Sequence, residues 1–249
     1  TVDNAHNDDK SLEYRQLLIK SIHRIAIKFV EVAADVVSLL LDFISDLSST
    51  AASGVISFAK QVVEKYPQLR EEILQNLIAT LAHLNSAKAY RGGLWILGEY
   101  SLSESDVQGA WKHIRSSVGE VPIVQSELRK LNQTEEDTET QDVPQISTGP
   151  VVLPDGTYAT ESAFTTTDAV KSLSKEEKDS RPPLRRFILN GDFYTTSVLA
   201  TTIVKLVLRF EKESSNTAVI NALKAEGLLI LVSILRAGQS SLVDKKIDE

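Results

Sequence analysis

The chain has 249 residues, a formal net charge of −7, and neither cysteine nor methionine. The missing cysteines exclude disulfides, Cys-based zinc sites and thiol nucleophiles, and the acidic balance argues against a nucleic-acid partner, whose phosphates need Lys and Arg. No unbroken apolar stretch approaches the roughly 20 residues that span a bilayer, so any membrane association should be peripheral. Because the chain lacks an initiator methionine, we expect it to be a piece of a longer or processed protein.

The first half of the chain has the pattern of successive amphipathic helices, because apolar residues recur three and four positions apart. Leu18, Ile22 and Ile25 form one such stripe. Ser103 and Asp106 have the spacing of a capping box, which marks the start of a helix. The predicted helices cover residues 10–29, 31–47, 55–66, 67–84, 87–100, 104–118 and 124–131.

Alternate helices are predicted to begin near Lys10, Ser49 and Ser86. This is a period of roughly 40 residues, close to that of HEAT and armadillo repeats. A single helical hairpin cannot hide its apolar face from water, whereas stacked hairpins bury these faces against each other. The sequence therefore predicts an all-α fold, an α-solenoid of HEAT/armadillo-like hairpins, over residues 1–131.

A polar insertion, residues 132–182, is predicted to interrupt the solenoid. Residues 133–142 cluster acidic side chains and contain no apolar residue, which favours a disordered loop. Further on, Pro154-Asp155-Gly156 is a turn signature flanked by β-branched and aromatic residues. A short hairpin or extended segment is therefore predicted over residues 151–164.

Solenoid helices are predicted to resume over residues 183–249. The apolar spacing indicates one helix over residues 193–210 and a second over residues 217–236. The last ten residues, SSLVDKKIDE, are mostly polar, and we expect them to be frayed.

The sequence contains no catalytic or ligand-binding motif. Its four histidines, His6, His23, His83 and His113, are isolated and lack metal-ligand spacing. It has neither of the glycine-rich nucleotide-binding patterns, GxGxxG and GxxxxGK[ST]. We therefore predict a protein that is not an enzyme and that uses no cofactor and no metal.

The glycine-rich segment RGGLWILGEY, residues 91–100, is the first candidate for function. Glycine costs of order 1 kcal/mol of helix propensity relative to alanine, so these glycines are expected to let another helix approach closely. Trp95 and Tyr100 supply large rings. Either the segment is a tightly packed structural helix, or it contacts a partner directly.

Three arginines around Pro182-Pro183 are the second candidate. Arg181, Arg185 and Arg186 concentrate guanidinium groups near a rigid turn, and such groups bind carboxylates and phosphates. They either contact an acidic partner or a membrane phosphate, or pair with helix carboxylates of the same chain.

The hexapeptide WILGEY resembles the W-x-x-G-E-Y signature in the trunk helices of the adaptin superfamily, the large subunits of clathrin adaptors and coatomer. The resemblance assigns Trp95, Gly98, Glu99 and Tyr100 as scaffold positions only. Other segments are similar to the β-subunit family of coatomer, the coat of COPI vesicles. These segments are residues 10–29, 118–127, 153–164, 181–193 and 199–210.

The resemblance implies an α-solenoid trunk, of which this chain would be the central or C-terminal part. It implies a structural subunit that scaffolds coat assembly for Golgi-to-ER and intra-Golgi transport. The expected direct partner is the coatomer δ subunit, through its longin-type domain. An Arf-type GTPase would recruit the full-length protein, and the expected location is the cytoplasm, with peripheral recruitment to Golgi membranes and COPI vesicles.

Two other classes of protein remain open at this point. The chain can be another HEAT-like adaptor scaffold, either a clathrin-adaptor large subunit or a transport receptor. It can also be a regulatory subunit of an enzyme, such as a phosphatase scaffold, for which the sequence offers no distinguishing feature.

Overall fold

A computed structural model describes residues 2–139 and 181–246, and these residues form ten α-helices and no strand. The first seven are α1 (Val2–Ala26), α2 (Val30–Asp42), α3 (Ser49–Lys65), α4 (Arg70–Leu81), α5 (Ala87–Tyr100), α6 (Glu104–Val118) and α7 (Ile123–Glu139). The last three are α8 (Pro183–Leu189), α9 (Phe193–Glu213) and α10 (Thr217–Gln239).

Local capping explains where many of these helices begin. A side-chain oxygen of the N-cap residue accepts a backbone N–H of the first turn at Ser48, Ser86, Ser103, Asp192 and Asn216. The predicted capping box at α6 is confirmed, because Ser103 and Asp106 each accept the other's backbone N–H. The helix ends at Gly119, whose φ of 73° favours glycine.

The helices stack as successive hairpins, which confirms the predicted all-α solenoid. Helix α3 contacts both α1 and α2, α5 contacts both α3 and α4, and α9 contacts both α5 and α6. In these three hairpins the first helix therefore lies against both helices of the neighbouring hairpin in the stack. Their apolar stripes meet in one continuous core that includes Val37, Phe58, Leu77, Leu97 and Leu206.

The glycines of α5 allow close approach of three different helices. A Cβ atom on Gly92 would lie 2.7 Å from Cγ2 of Ile56 in α3, and one on Gly93 would lie 2.6 Å from Cδ2 of Leu81 in α4. A Cβ atom on Gly98 would lie 3.1 Å from Oγ1 of Thr202 in α9. The helix accepts the propensity cost of glycine because larger residues would push these neighbours away.

Helix boundaries near the N-terminus differ from the prediction. Helix α1 begins at Val2 rather than at Lys10. Helix α2 ends at Asp42, and a separate 3₁₀ turn, Ile44–Asp46, follows it. The apolar spacing continues from one into the other, so periodicity alone does not reveal the change of helix type.

The predicted end of the helix before the insertion differs from the structure at residues 133–139. Helix α7 continues through them to Glu139 instead of ending at Leu131. Glutamine and glutamate are good helix formers, so the lack of apolar residues does not end a helix. The rest of the predicted loop, and the predicted hairpin at residues 151–164, lie outside the described residues.

The C-terminal end packs against the stack, where the sequence predicted a frayed tail. Leu242 and Val243 are buried, and the backbone N–H of Asp244 donates to the carbonyl of Leu189, at 2.9 Å. Two apolar side chains in a mostly polar segment are enough to hold it on α8. Residues 247–249 lie outside the described residues.

Helices α9 and α10 are each long and apolar enough to cross a bilayer, by length and composition alone. Both also pack within the stack, α9 on α5 and α6, and α10 on α7, α8 and α9. Helices in the core of a globular protein can be equally long and apolar, so the composition of α9 and α10 is consistent with the solenoid.

Candidate functional site

The end of α5 presents an aromatic pair at the surface. Trp95 is 36% exposed, and the ring of Tyr100 meets its ring edge to face at 6.1 Å between centroids. The Lys60 ammonium lies 4.4 Å above the Trp95 ring, and the Arg70 guanidinium lies 5.2 Å from the Tyr100 ring. Cations over aromatic faces stabilise such an arrangement, which here joins α3, α4 and α5.

The other motif residues of α5 face α9. The Glu99 carboxylate pairs with Lys205 and lies 3.5 Å from the Arg209 guanidinium. Arg209 also donates to the carbonyl of Gly98. At the other end of α5, the Arg91 guanidinium pairs with Asp192 at 3.1 Å. These four contacts run along the two helices in the same order, so α5 and α9 lie parallel.

We expect Glu99→Gln to lower the free energy of unfolding by about 1 kcal/mol at low salt, because it removes a partly exposed pair with two cations. Salt screens partly exposed charges, so the difference from the unchanged chain should shrink in 1 M NaCl. Urea unfolding at both salt concentrations checks this. An equal loss at both would contradict an electrostatic role for Glu99.

The second candidate cluster contains a buried ion pair. Arg185 and Glu127 are 2% and 3% exposed, and the guanidinium Nε donates to the carboxylate at 2.9 Å. Arg181 donates to the other oxygen of Glu127 at 2.8 Å. One carboxylate of α7 thus holds two arginines at the start of α8, where the chain returns to the stack.

Arg185 also binds the turn between α6 and α7. Its Nη1 atom donates to the carbonyl of Glu120 at 2.7 Å and to that of Val118, at the end of α6, at 3.4 Å. Arg186 instead donates to the Oδ1 atom of Asn85 at 2.8 Å. All three arginines therefore have partners within the chain, and an added anion would compete with Glu127 for two of them.

Glu127 is the residue that the sequence reasoning missed. It lies four residues after Ile123 and four before Leu131, both of which are buried, so it occupies the middle of an apolar stripe. A carboxylate at such a position needs a buried cation. That spacing is the signal by which the partner of the arginines could have been found.

A buried polar group joins α5 and α6 beside this cluster. The Nε2 atom of His113 lies 3.0 Å from the Tyr90 hydroxyl and 3.3 Å from the Ser117 hydroxyl. Burial lowers the pKa of His113 from 6.5 to about 4 and raises the pKa of Tyr90. Both groups are therefore neutral at neutral pH.

The neutral state of His113 makes the fold sensitive to acid. Because the pKa is lower in the folded chain, its contribution to stability is complete above pH 6.5 and is lost as the pH falls toward 4. We expect a loss of about 2 kcal/mol between pH 7.5 and pH 5 from this residue. Urea unfolding at both pH values should show that the free energy of unfolding of His113→Gln changes less between pH 7.5 and pH 5 than that of the unchanged chain. The control His83→Gln, at an exposed position, should show the same change as the unchanged chain. An unchanged effect in His113→Gln would contradict this.

Metal-binding chemistry has no support in the part of the chain that the structure describes, since no group of three or more His, Cys, Asp or Glu side chains there could hold an ion. The polar side chains of both candidate clusters are engaged in contacts between helices.

Comparisons with known proteins agree with this architecture. The family model "Adaptin N terminal region" matches residues 2–171. The chain is 64% identical to "Coatomer subunit beta" of Saccharomyces cerevisiae, over all of this chain and 26% of that protein. It is 46% identical to the Schizosaccharomyces pombe protein of the same name, over 94% of this chain and 26% of that protein.

A more distant relative is "Coatomer subunit beta" of Rattus norvegicus, which is 38% identical over 99% of this chain and 25% of that protein. The chain thus spans about a quarter of the length of the curated relatives it matches. No solved structure is a significant match. The chain belongs to the adaptin N-terminal region family, and within it the sequence matches a segment of the coatomer β subunits.

Proposed function

We propose that this chain is a structural segment of the COPI vesicle coat, which supports Golgi-to-ER and intra-Golgi transport by binding other coat subunits. The observation that carries this proposal is 64% identity to a coatomer β subunit along the whole chain. A clathrin-adaptor large subunit is not favoured, because the relatives reported above are all coatomer β subunits.

The proposed role is that of a scaffold and not of an enzyme. The motif residues support this role, because Glu99 and Gly98 bind α9, and Trp95 and Tyr100 are held by cations of α3 and α4. Each of these contacts fixes one helix on another. A stiff stack of this kind can hold partners at set distances, which is what coat assembly requires.

The coatomer δ subunit, through its longin-type domain, is the proposed direct partner. An Arf-type GTPase would bind another part of the full-length protein, which is expected in the cytoplasm and peripherally on Golgi membranes. The net charge of −7 supports a protein partner over a polyanion for this segment.

Affinity purification from cytosol tests the proposal. The tagged chain should retrieve coatomer subunits, identified by mass spectrometry, and gel filtration of the chain with the δ longin-type domain at micromolar concentration should give one complex. Retrieval of clathrin-adaptor small chains or import cargo would overturn the proposed coat. Separate elution of the two proteins, with other coatomer subunits still retrieved, would overturn only the choice of δ.

A further inference from the structure

The short connection between α8 and α9 contains the only Asn-Gly pair of the sequence, Asn190-Gly191. Asn190 is exposed, so water reaches its side chain. Asparagine followed by glycine deamidates readily in unfolded chains, because glycine has no Cβ atom to hinder attack by its backbone nitrogen. The pair is therefore a candidate site of spontaneous chemical modification, and the structure around it decides when the reaction can occur.

Deamidation at this pair needs no reagent other than water. The backbone nitrogen of Gly191 attacks Cγ of Asn190, so that an N–Cγ bond forms and the Cγ–Nδ2 bond breaks. The side-chain nitrogen leaves as ammonia, and the proton from the Gly191 N–H is passed through water to it. Water then cleaves one C–N bond of the cyclic imide. Cleavage on one side gives aspartate, and cleavage on the other gives isoaspartate, whose main chain is longer by a CH₂ group.

The folded turn holds the two reacting atoms apart. The ψ angle of Asn190 is −2°, so the Gly191 nitrogen eclipses the backbone nitrogen of Asn190, whereas ring closure requires it to eclipse Cβ. The backbone N–H of Gly191 donates to the carbonyl of Ile188 at 3.1 Å, and that of Asp192 donates to the carbonyl of Phe187 at 3.0 Å. The planar peptide group rotates as a unit, so turning it to the reactive angle breaks the Gly191 hydrogen bond.

The segment after α10, residues 240–246, lies against this turn. A Cβ atom on Gly191 would lie 2.8 Å from the carbonyl oxygen of Lys245, and the φ angle of Gly191 is 74°. The buried side chains of Leu242 and Val243 anchor the segment, and a backbone hydrogen bond joins it to the end of α8. The turn therefore has no room to rotate while the 240–246 segment is in place.

We propose that Asn190 is a site of spontaneous deamidation that reacts only when the α8–α9 turn and the 240–246 segment open together. The rate is then the intrinsic rate multiplied by the open fraction. The longer main chain of isoaspartate cannot re-form the turn, and Asp192 beside it both caps α9 at Thr195 and pairs with Arg91 of α5. Each reaction therefore converts a transient opening into a permanent loss of this joint. The proposal does not depend on the proposed coat function.

Peptide mapping by mass spectrometry of the full-length protein, incubated at neutral pH, tests the proposal. Deamidation of Asn190 should be at least about tenfold slower in buffer than in guanidinium chloride. Leu242→Ala, which loosens the 240–246 segment, should raise the rate in buffer about tenfold while circular dichroism shows the chain still helical. Leu235→Ala, at a site that is 54% exposed, is the matched control and should leave the rate unchanged.

Three results would overturn the proposal. These are no deamidation of Asn190 in guanidinium chloride, equal rates in the folded and unfolded protein, and a folded Leu242→Ala variant that reacts no faster than the Leu235→Ala control. Amide hydrogen exchange of the unchanged protein decides the shared opening even if Leu242→Ala does not fold. The Gly191 and Asp244 amides should then open with the same free energy, and a Gly191 amide that opens far more easily would refute the role of the segment.

Discussion

Glu127→Ala is expected to lower the free energy of unfolding of this chain by about 3–5 kcal/mol, the usual cost of removing one partner from a buried ion pair. The substitution leaves Arg185, which is 2% exposed, without a carboxylate. Arg181, the second cation on Glu127, loses its partner as well. Urea unfolding followed by circular dichroism at pH 7 measures the difference.

The matched control is Glu211→Ala. Glu211 also pairs with a cation, Lys224, but both side chains are exposed, so the expected loss is below about 1 kcal/mol. A double variant, Glu127→Leu with Arg185→Leu, should be more stable than Glu127→Ala, because it leaves less buried charge unpaired. If Glu127→Ala and Glu211→Ala lowered the free energy of unfolding by similar amounts, the larger contribution that we assign to the buried pair would be wrong.

Gly93→Val is expected to lower the free energy of unfolding by about 2–3 kcal/mol, which is typical of overpacking in a core. A Cβ atom at this position would already lie 2.6 Å from Leu81, and both residues are buried. The two further methyl groups of valine would force α4 away from α5. Thermal unfolding of the variant and the unchanged chain checks this prediction.

Gly54→Ala serves as the opposite control, since Gly54 lies within α3 and a Cβ atom there would meet nothing within 4 Å. With no clash, the change should raise the free energy of unfolding by about 0.5–1 kcal/mol through helix propensity alone. A stabilising effect of Gly93→Val would contradict the close approach that we assign to α5.

Helix positions were predictable because their signals are local. Helix α5 lies at residues 87–100 as predicted, between the N-cap Ser86 and the end of its apolar stripe. The capping box of α6 involves only Ser103 and Asp106, three residues apart. Caps and stripes act over a few residues, so one sequence reveals them. The predicted helix boundaries were wrong where the local signal is weak, as at the end of α7 at Glu139.

The candidate clusters were predictable as residues but not as contacts. The motif resemblance identified Glu99 and the arginine cluster identified Arg185, yet Glu99 pairs with Lys205, 106 residues away, and Arg185 with Glu127, 58 residues away. No local pattern links such pairs. Which side chain each of these residues contacts depends on how α5, α7, α8 and α9 stack, and a count of charges cannot show that.

By itself, the sequence determined the helical class of this protein, the positions of most of its helices and its resemblance to coatomer β subunits. Only the tertiary structure decided that Arg181 and Arg185 face Glu127 and that the tail is held by Leu242 and Val243. The physical reason is distance along the chain. Helices form through side chains three and four residues apart, whereas their partners are selected by apolar faces that meet only after the hairpins stack.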